Sequence, residues 1–407
     1  MLAWRRLVRR STQADEATGA VNAAEADRRA ATLVACSGGA DSVCLAASLG
    51  AAGGRGPVTL AYVHHVGMRT AVETERDASL VRSLGGRLGV AVVEAEAHAP
   101  AIETGSGGRT AGRPSEASLR RARYSALATL ARNLRAGFVV TGHHADDQLE
   151  TVLMALMRGA GARGLAGIAA VRTLHESEPK ASRTKPLAAA HETRRAQTDA
   201  RGDRPPIRLL RPMLQIERAA ARAMCESLGL DWREDPTNED TTLLRNALRA
   251  RVTPVLEELR PGVANRVARS SSAVRAAADL LERSGRELLE RARMDAEAVG
   301  PPGVESSPVI ALWSRSRLNE GEPAALAAGV RWLAREVLAT TEHTSANSWS
   351  ARGVAQNAQL DEFVRIVRDA SPEPRSVELG GGLRCVVRHD RVYLAIRIDP
   401  NRDGRDA

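Results

Sequence analysis

The sequence predicts an α/β protein. A parallel sheet of about five strands carries helices on both faces, and a helical region and a small C-terminal α+β module follow. Three observations lead there. Short apolar, β-branched runs at 32–35, 58–63, 90–93, 138–141 and 207–210 alternate with helix-length stretches. The first run meets its helix across a glycine turn, Ser37-Gly38-Gly39. The tail, 377–398, reads as strands around a turn at Gly380 to Gly382, with Val386, Tyr393, Leu394 and Ile396 in strand positions.

The helices follow in order. Residues 42–49 carry a small-apolar face, and 73–88 is helical. Ser115 caps a helix to residue 133, with Leu119, Ala122, Ala126 and Leu130 on one face. Further helices are expected at 145–158, 217–228, 245–259, 264–296 and 322–338. Residues 101–114 are rich in Gly, Arg and Ser and read as a mobile loop. The division expected is a basic N-terminal arm (1–29), a nucleotide domain (30–260), a helical substrate-binding region (261–340), a linker (341–372) and the C-terminal module (373–407). Residues 172–206 have too little aliphatic content for a core and read as a disordered insertion.

The chain has 407 residues, with 58 Lys+Arg against 49 Asp+Glu, a formal charge of +9. That balance favours a polyanionic partner, although arginine-rich composition alone produces it too. Aromatics make up 2%, which disfavours broad base-stacking platforms. The four cysteines form no C-x-x-C pair, and reduced thiols in a cytoplasmic protein are the simplest account. No apolar run reaches transmembrane length, so no membrane partner is expected.

Strand, glycine turn, helix is an arrangement that binds anions. Free N–H groups stand at a helix start, and Gly38 and Gly39 admit a phosphate to the backbone. Ser37 and Ser42 add hydroxyls. No GxxxxGK[ST] pattern is present, and a lysine-free loop suits the pyrophosphate end of ATP. An ordinary β–α turn is the plainer alternative. Asp41 either ligates a phosphate-bound Mg²⁺ or stabilises the helix start.

A second stretch, 139–153, reads V-V-T-G-H-H-A-D-D-Q-L-E-T-V-L. His143, His144, Asp146, Asp147 and Glu150 cluster where a strand ends and a helix begins. Helical spacing places Asp147 with Glu150, and Asp146 with Glu150. Acids at a helix start complement its dipole, which suffices for Asp146. Two histidines and three acids at a strand's carboxyl end could instead hold Mg²⁺, orient an amine or accept its proton.

Ser37-Gly-Gly-Ala40-Asp-Ser42 resembles the SGGxDS loop of the N-type ATP pyrophosphatases, the PP-loop superfamily. Within it the chain resembles the tRNA(Ile)-lysidine synthases. That resemblance rests on H-H-A-D-D-Q-L-E-T-V (143–152), R-G-A-G-A-R-G-L-A-G (158–167) and E-A-S-L-R-R-A-R-Y (116–124). It also rests on R-P-M-L (211–214), W-R-E-D-P-T-N (232–238) and R-N-A-L-R (245–249), and more weakly on V-E-L-G-G-G-L-R-C (377–385). It implies an adenine nucleotide alpha hydrolase-like fold, and a reaction in two steps. ATP adenylates the C2 oxygen of the wobble cytidine of the CAU anticodon of tRNA(Ile). Free L-lysine then displaces AMP to give lysidine, which changes codon reading from AUG to AUA.

By the same resemblance, Ser37 to Ser42 bind ATP, with Mg²⁺ at Asp41. Asp147, Arg120 and Arg123 are catalytic, and Asp147 and Glu150 bind lysine. His143, His144, Asp146, Arg211, Arg245, Asn246 and Arg249 complete the motif residues. Without the resemblance, the pairs Arg120/Arg123 and Arg245/Arg249 would be read as solvated helix faces. One departure is Val63-His-His-Val-Gly-Met-Arg69, where the family has V-D-H-G-L-R, which leaves any role of His65 open. The alternatives are a tRNA thiolase of the same superfamily or a non-catalytic tRNA-binding homologue. Oligomeric state, a homodimer included, is left open.

Overall fold

The structure is a computed structural model. It describes residues 3, 5–9, 31–51, 56–65, 70–98, 116–174, 206–234, 241–294, 309–341, 357–369, 371 and 373–396. Nearly all of the N-terminal arm, the 101–114 loop with Ser115, and residues 66–69 lie outside the described residues. So do insertion residues 175–205, residues 235–238 of one motif, and linker residues 342–356.

The chain begins β1 (Thr32–Ala35), α1 (Ala40–Gly50), β2 (Val58–His65), α2 (Ala71–Leu88), β3 (Ala91–Ala97), α3 (Glu116–Asn133), β4 (Phe138–Val140) and α4 (Ala145–Met157). There follow α5 (Ala162–Leu165), β5 (Val171–Leu174), β6 (Ile207–Leu210) and α6 (Arg218–Ser227). Then come α7 (Leu244–Ala247), a π turn (Leu248–Val252), α8 (Thr253–Leu259) and α9 (Val263–Ala292). Local signals set several boundaries. Thr70 and Glu73 form a reciprocal capping box that starts α2, and left-handed Gly89 ends it.

Six strands form one sheet in the order β3-β2-β1-β4-β6-β5. All neighbours pair in parallel except β5 with β6. Neighbouring residues in a strand face opposite sides of the sheet. Val34, Leu60, Val140 and Leu210 therefore enter one buried cluster, with Val43, Leu49, Val81 and Ala221 from the helices. Leu33, Ala61, Val139 and Leu209 enter the other, against Tyr124, Leu127 and Ala131 of α3. Burial on both faces is why these strands read as unbroken apolar runs. Each large apolar side chain so buried contributes about 1.5–3 kcal/mol.

The expected insertion is corrected at its start. Residues 171–174 are strand β5, paired antiparallel with β6. An edge strand needs only one buried face, so a short run with few apolar residues suffices. The helix expected at 245–259 is likewise interrupted by the π turn.

The chain divides into two compact units: residues 1–154, 167–179 and 201–271, and residues 155–166, 180–200 and 272–407. The second unit also holds β7 (Val309–Ser314), α10 (Arg315–Asn319), α11 (Pro323–Thr341), α12 (Asn357–Arg368), β8 (Arg375–Gly380), β9 (Leu383–Arg388) and β10 (Arg391–Ile396). Its four strands form an antiparallel sheet, β7-β10-β9-β8. The expected division into helical region, linker and C-terminal module is corrected here. Leu288, Trp313, Leu326, Phe363, Val377 and Leu394 share one buried core. The linker contains α12, with Leu360, Phe363, Ile366 and Val367 buried along one face. That stripe follows a polar run, which masks it in sequence. Buried Arg315 donates to the carbonyls of Ile366 and Val367 at 3.1 and 2.8 Å, satisfying the C-terminus of α12.

Helices α9 and α11 meet backbone to backbone. A Cβ on Gly329 would lie 2.6 Å from Gly285 O, and one on Gly285 would lie 2.5 Å from Gly329 N. Gly329→Ala must push the helices apart. We expect a loss of about 1–3 kcal/mol of stability, read as a lower urea midpoint.

Candidate active site

Strand β1 is the hinge of the sheet order: the chain builds outward through β2 and β3 on one side, and through β4 and β6 on the other. Ligands of open α/β sheets bind at such a switch point, beyond the carboxyl ends of the strands. Both chemistry-bearing stretches leave adjacent strands there. The glycine loop follows β1 and the His-His-Ala-Asp-Asp stretch follows β4.

In the glycine loop, Gly38 has φ +82°, a left-handed conformation that a side chain would strain. Ser42 is buried, and its hydroxyl is committed inside the loop. It donates to Gly39 O at 2.8 Å and accepts the Ser37 N–H at 3.1 Å. Ser42 thus shapes the loop, while Ser37 is exposed. The N-cap of α1, Gly39, has no side-chain cap, so the helix start keeps donors for an anion. The loop leaving β4 touches this turn directly. A Cβ on Gly142 would lie 2.9 Å from Asp41 O, so only glycine fits.

Past β4, buried His144 gathers the acids. Its Nε2 lies 3.4 Å from Asp41 Oδ2 and 3.5 Å from Asp147 Oδ2, and its Nδ1 lies 3.4 Å from Asp146 Oδ2. Burial opposes a charge on His144. Hydrogen bonds to Asp146 and Asp41, with the charges of Asp147 and Asp41, outweigh that and push its pKa up to about 10. Asp146 also accepts the N–H of Arg218 at 2.9 Å, capping α6. Asp41 Oδ1 is buried without a hydrogen-bond partner.

Glu150 is completely buried. Arg245 Nε reaches its Oε2 at 2.6 Å, and Arg249 Nε reaches its Oε1 at 2.7 Å. Arg245 Nη2 also reaches Asp147 Oδ1 at 2.8 Å. Arg245 is on α7 and Arg249 in the π turn. Four carboxylates here face three cationic side chains, which leaves one formal negative charge.

Close by, the charge reverses. The guanidinium carbons of Arg172, Arg120 and Arg123 lie 4.6, 5.2 and 5.6 Å from the ring centre of Tyr124. Arg211 is buried and donates to Ala169 O at 2.6 Å. His143 touches Thr141 Oγ1 through Nδ1 at 2.9 Å. Its pKa falls well below the ordinary 6.5, through burial first and then the charges of Arg211, Arg120, Arg123 and Arg245. The two neighbouring histidines therefore differ in charge, His143 neutral and His144 cationic.

A family model described as a PP-loop domain matches residues 11–256. Curated relatives agree. The tRNA(Ile)-lysidine synthase of Salinispora arenicola is 37% identical over 264 residues, 64% of this chain and 67% of that protein. The chain belongs to the tRNA(Ile)-lysidine synthase family. Its relative in Streptomyces coelicolor is 34% identical over 303 residues, 73% and 72% of the two chains. That of Bordetella bronchiseptica is 34% identical over 285 residues, 69% of each. A solved U34-tRNA thiolase from Methanococcus maripaludis aligns with TM-score 0.43 at 14% identity, over 60% of this chain and 72% of that one, too slight a likeness to argue from.

For this member of the family, the structure brings Asp41, His144, Asp146, Asp147, Glu150, Arg245 and Arg249 into one cluster. Arg120, Arg123, Arg211 and His143 join a second. Asn246 is half-buried beside Arg245, and β2 continues through His65. One expectation is corrected. As placed, Glu150 faces two arginines and not a lysine amine: each of its oxygens is held by a guanidinium group and its side chain is buried. Arg245 and Arg249 are accordingly not a solvated face. Sequence reading gave no role to Gly142, to Arg172, or to Tyr124 at the end of the 116–124 motif. Gly142 stood inside a quoted motif, but its need is steric and appears only when the β4 loop meets α1. Among the described residues no three His, Cys, Asp or Glu groups form a metal cage, and no helix is long and apolar enough to cross a membrane.

The raised pKa of His144 has a consequence with a definite sign. Its stabilisation is complete below its ordinary pKa of 6.5 and is lost as pH rises toward about 10. The stability gap between wild type and His144→Asn, measured by denaturant unfolding, should therefore narrow from pH 6.5 to pH 10. A constant gap would show that His144 is not a cation in the folded chain.

Proposed function

We propose that this chain ligates free L-lysine to C2 of the wobble cytidine of tRNA(Ile) bearing a CAU anticodon, consuming ATP and releasing pyrophosphate and AMP. The family membership supports the reaction class. The observation that carries the assignment of residues is the side-by-side exit of β1 and β4, which sets an anion-binding loop against a cluster with one surplus negative charge.

On this reading the loop from Ser37 to Asp41 holds the β- and γ-phosphates through backbone N–H groups and the Ser37 hydroxyl. The cytidine O2 attacks the α-phosphorus, the bond to pyrophosphate breaks, and charge builds on oxygens that Arg120 and Arg123 neutralise, with Arg172 and Arg211 beside them. Asp41 Oδ1, the buried oxygen with no partner, suits one carboxylate ligand of a phosphate-bound Mg²⁺. That ion, when bound, would neutralise phosphate charge.

In the second step the lysine amine attacks C2, the bond to AMP breaks, and the amine must lose protons. Asp147 is the acid we assign to the amine, since its carboxylate is 14% exposed where that of Glu150 is 1% exposed. Glu150 is assigned instead to holding Arg245 and Arg249. A sulfur-transfer reading is disfavoured by the thiols. All four are buried, and burial leads in raising each pKa.

The test is nucleoside analysis of tRNA(Ile) after reaction with ATP and labelled lysine. Label in lysidine supports the reading, and tRNA-dependent pyrophosphate release without incorporation defeats it. Asp147→Asn should lose activity by a factor on the order of 10² or more, chiefly in lysidine formation. Glu150→Gln should depress adenylation and ligation together. If single-turnover kinetics found adenylation intact and only the lysine KM raised, Glu150 would return to the lysine site. Asp41→Ala should abolish AMP formation while tRNA binding, read by filter retention, stays near wild type.

A further inference from the structure

A strap made of residues 230–234 runs behind the glycine loop. Leu230 is buried, and Glu234 takes Arg222 at 2.5 Å and the Trp232 Nε1–H at 3.2 Å. Between them, the Arg233 N–H donates to Gly38 O at 2.9 Å. A Cβ on Gly39 would lie 3.8 Å from Arg233 O, so the strap's backbone runs against both glycines. The Arg233 side chain turns to α2, where its Nε lies 2.9 Å from Oδ1 of Asp77, a residue only 3% exposed.

The peptide group is planar, and its C=O and N–H point in opposite directions. Holding Gly38 O on the strap therefore aims the Gly39 N–H away from it, on the side where a ligand would sit. Gly38 has no side chain to fix that plane, and its left-handed φ is one of several a glycine could adopt. The plane is fixed from outside, by a main-chain donor whose own side chain is pinned to a buried carboxylate.

We infer that Arg233 is a positioning residue for the nucleotide phosphates, and that Asp77 is its anchor. The inference rests on the reading of the loop as the ATP site. Arg233 lies within W-R-E-D-P-T-N (232–238), and none of the motifs above includes Asp77.

The experiment uses the full chain with ATP and tRNA(Ile). Arg233→Ala and Asp77→Asn should each raise the KM for ATP about ten-fold, with kcat at saturating ATP and tRNA affinity nearly unchanged. Arg233→Lys should recover most of the loss, and the double variant should be no worse than the worse single. An unchanged ATP KM in Arg233→Ala, a fall in kcat alone, or additive effects would overturn the inference. If Asp77→Asn fails to fold, the Arg233 variants decide, since that side chain is 42% exposed. Calorimetric titration of wild type with ATP separates the two levels. A wild type that binds no ATP overturns the reading of the loop and this inference with it. Equal ATP binding by wild type and Arg233→Ala overturns this inference alone.

Discussion

The site depends on one backbone pairing. β1 and β4 lie side by side in parallel, with Thr32 opposite Phe138 and Val34 opposite Val140. Parallel strands end together, so the loops after Ala35 and Val140 emerge at one place. Closing a loop of that length costs little more than closing a short one, but its contacts form only once the central strands are in register. The contact between Gly142 and the backbone of Asp41 makes that register strict. A side chain there would separate the two loops that carry all of the acids.

Adjacent histidines divide the charge. His144 turns into three carboxylates and becomes a cation, and His143 turns toward arginines and stays neutral. Neither ring is placed by helix propensity. Each takes the protonation that its neighbours impose, so one dipeptide at a strand exit separates an acidic side from a basic one. The acidic side is close to neutral overall. Its buried Glu150 is tolerable only because two guanidinium groups satisfy both oxygens. The basic side has a different support. Three guanidinium groups lie over the Tyr124 ring, where attraction to the aromatic face offsets part of their mutual repulsion.

The second unit obeys simpler rules. Its helices and antiparallel sheet share one apolar core, and a buried arginine closes the end of α12 on carbonyl oxygens. Buried carbonyls need donors wherever a helix ends inside protein. Arg315 supplies them from an element far from α12 in sequence, which is why residues 357–368 look like linker when read locally.

The sequence by itself determined the central strands of the parallel sheet, because burial on both faces demands apolar runs that composition cannot hide. It determined the glycine loop and the acid-rich helix start, since each chemistry needs its residue types close together along the chain. The C-terminal sheet was legible from Val377 onward for the same reason. Only the tertiary structure decided the partners. That Glu150 is held by two arginines, that Asp146 caps α6, and that Arg233 sits behind Gly38 are contacts across 72 to 195 positions. Local periodicity carries no signal for them. Short edge strands such as β5, and β7 beside a run of prolines and serines, were lost for a related reason. In β5 one buried face leaves too few apolar residues to mark a strand, and for both strands the partner that makes them part of a sheet is a neighbour in space, not in sequence.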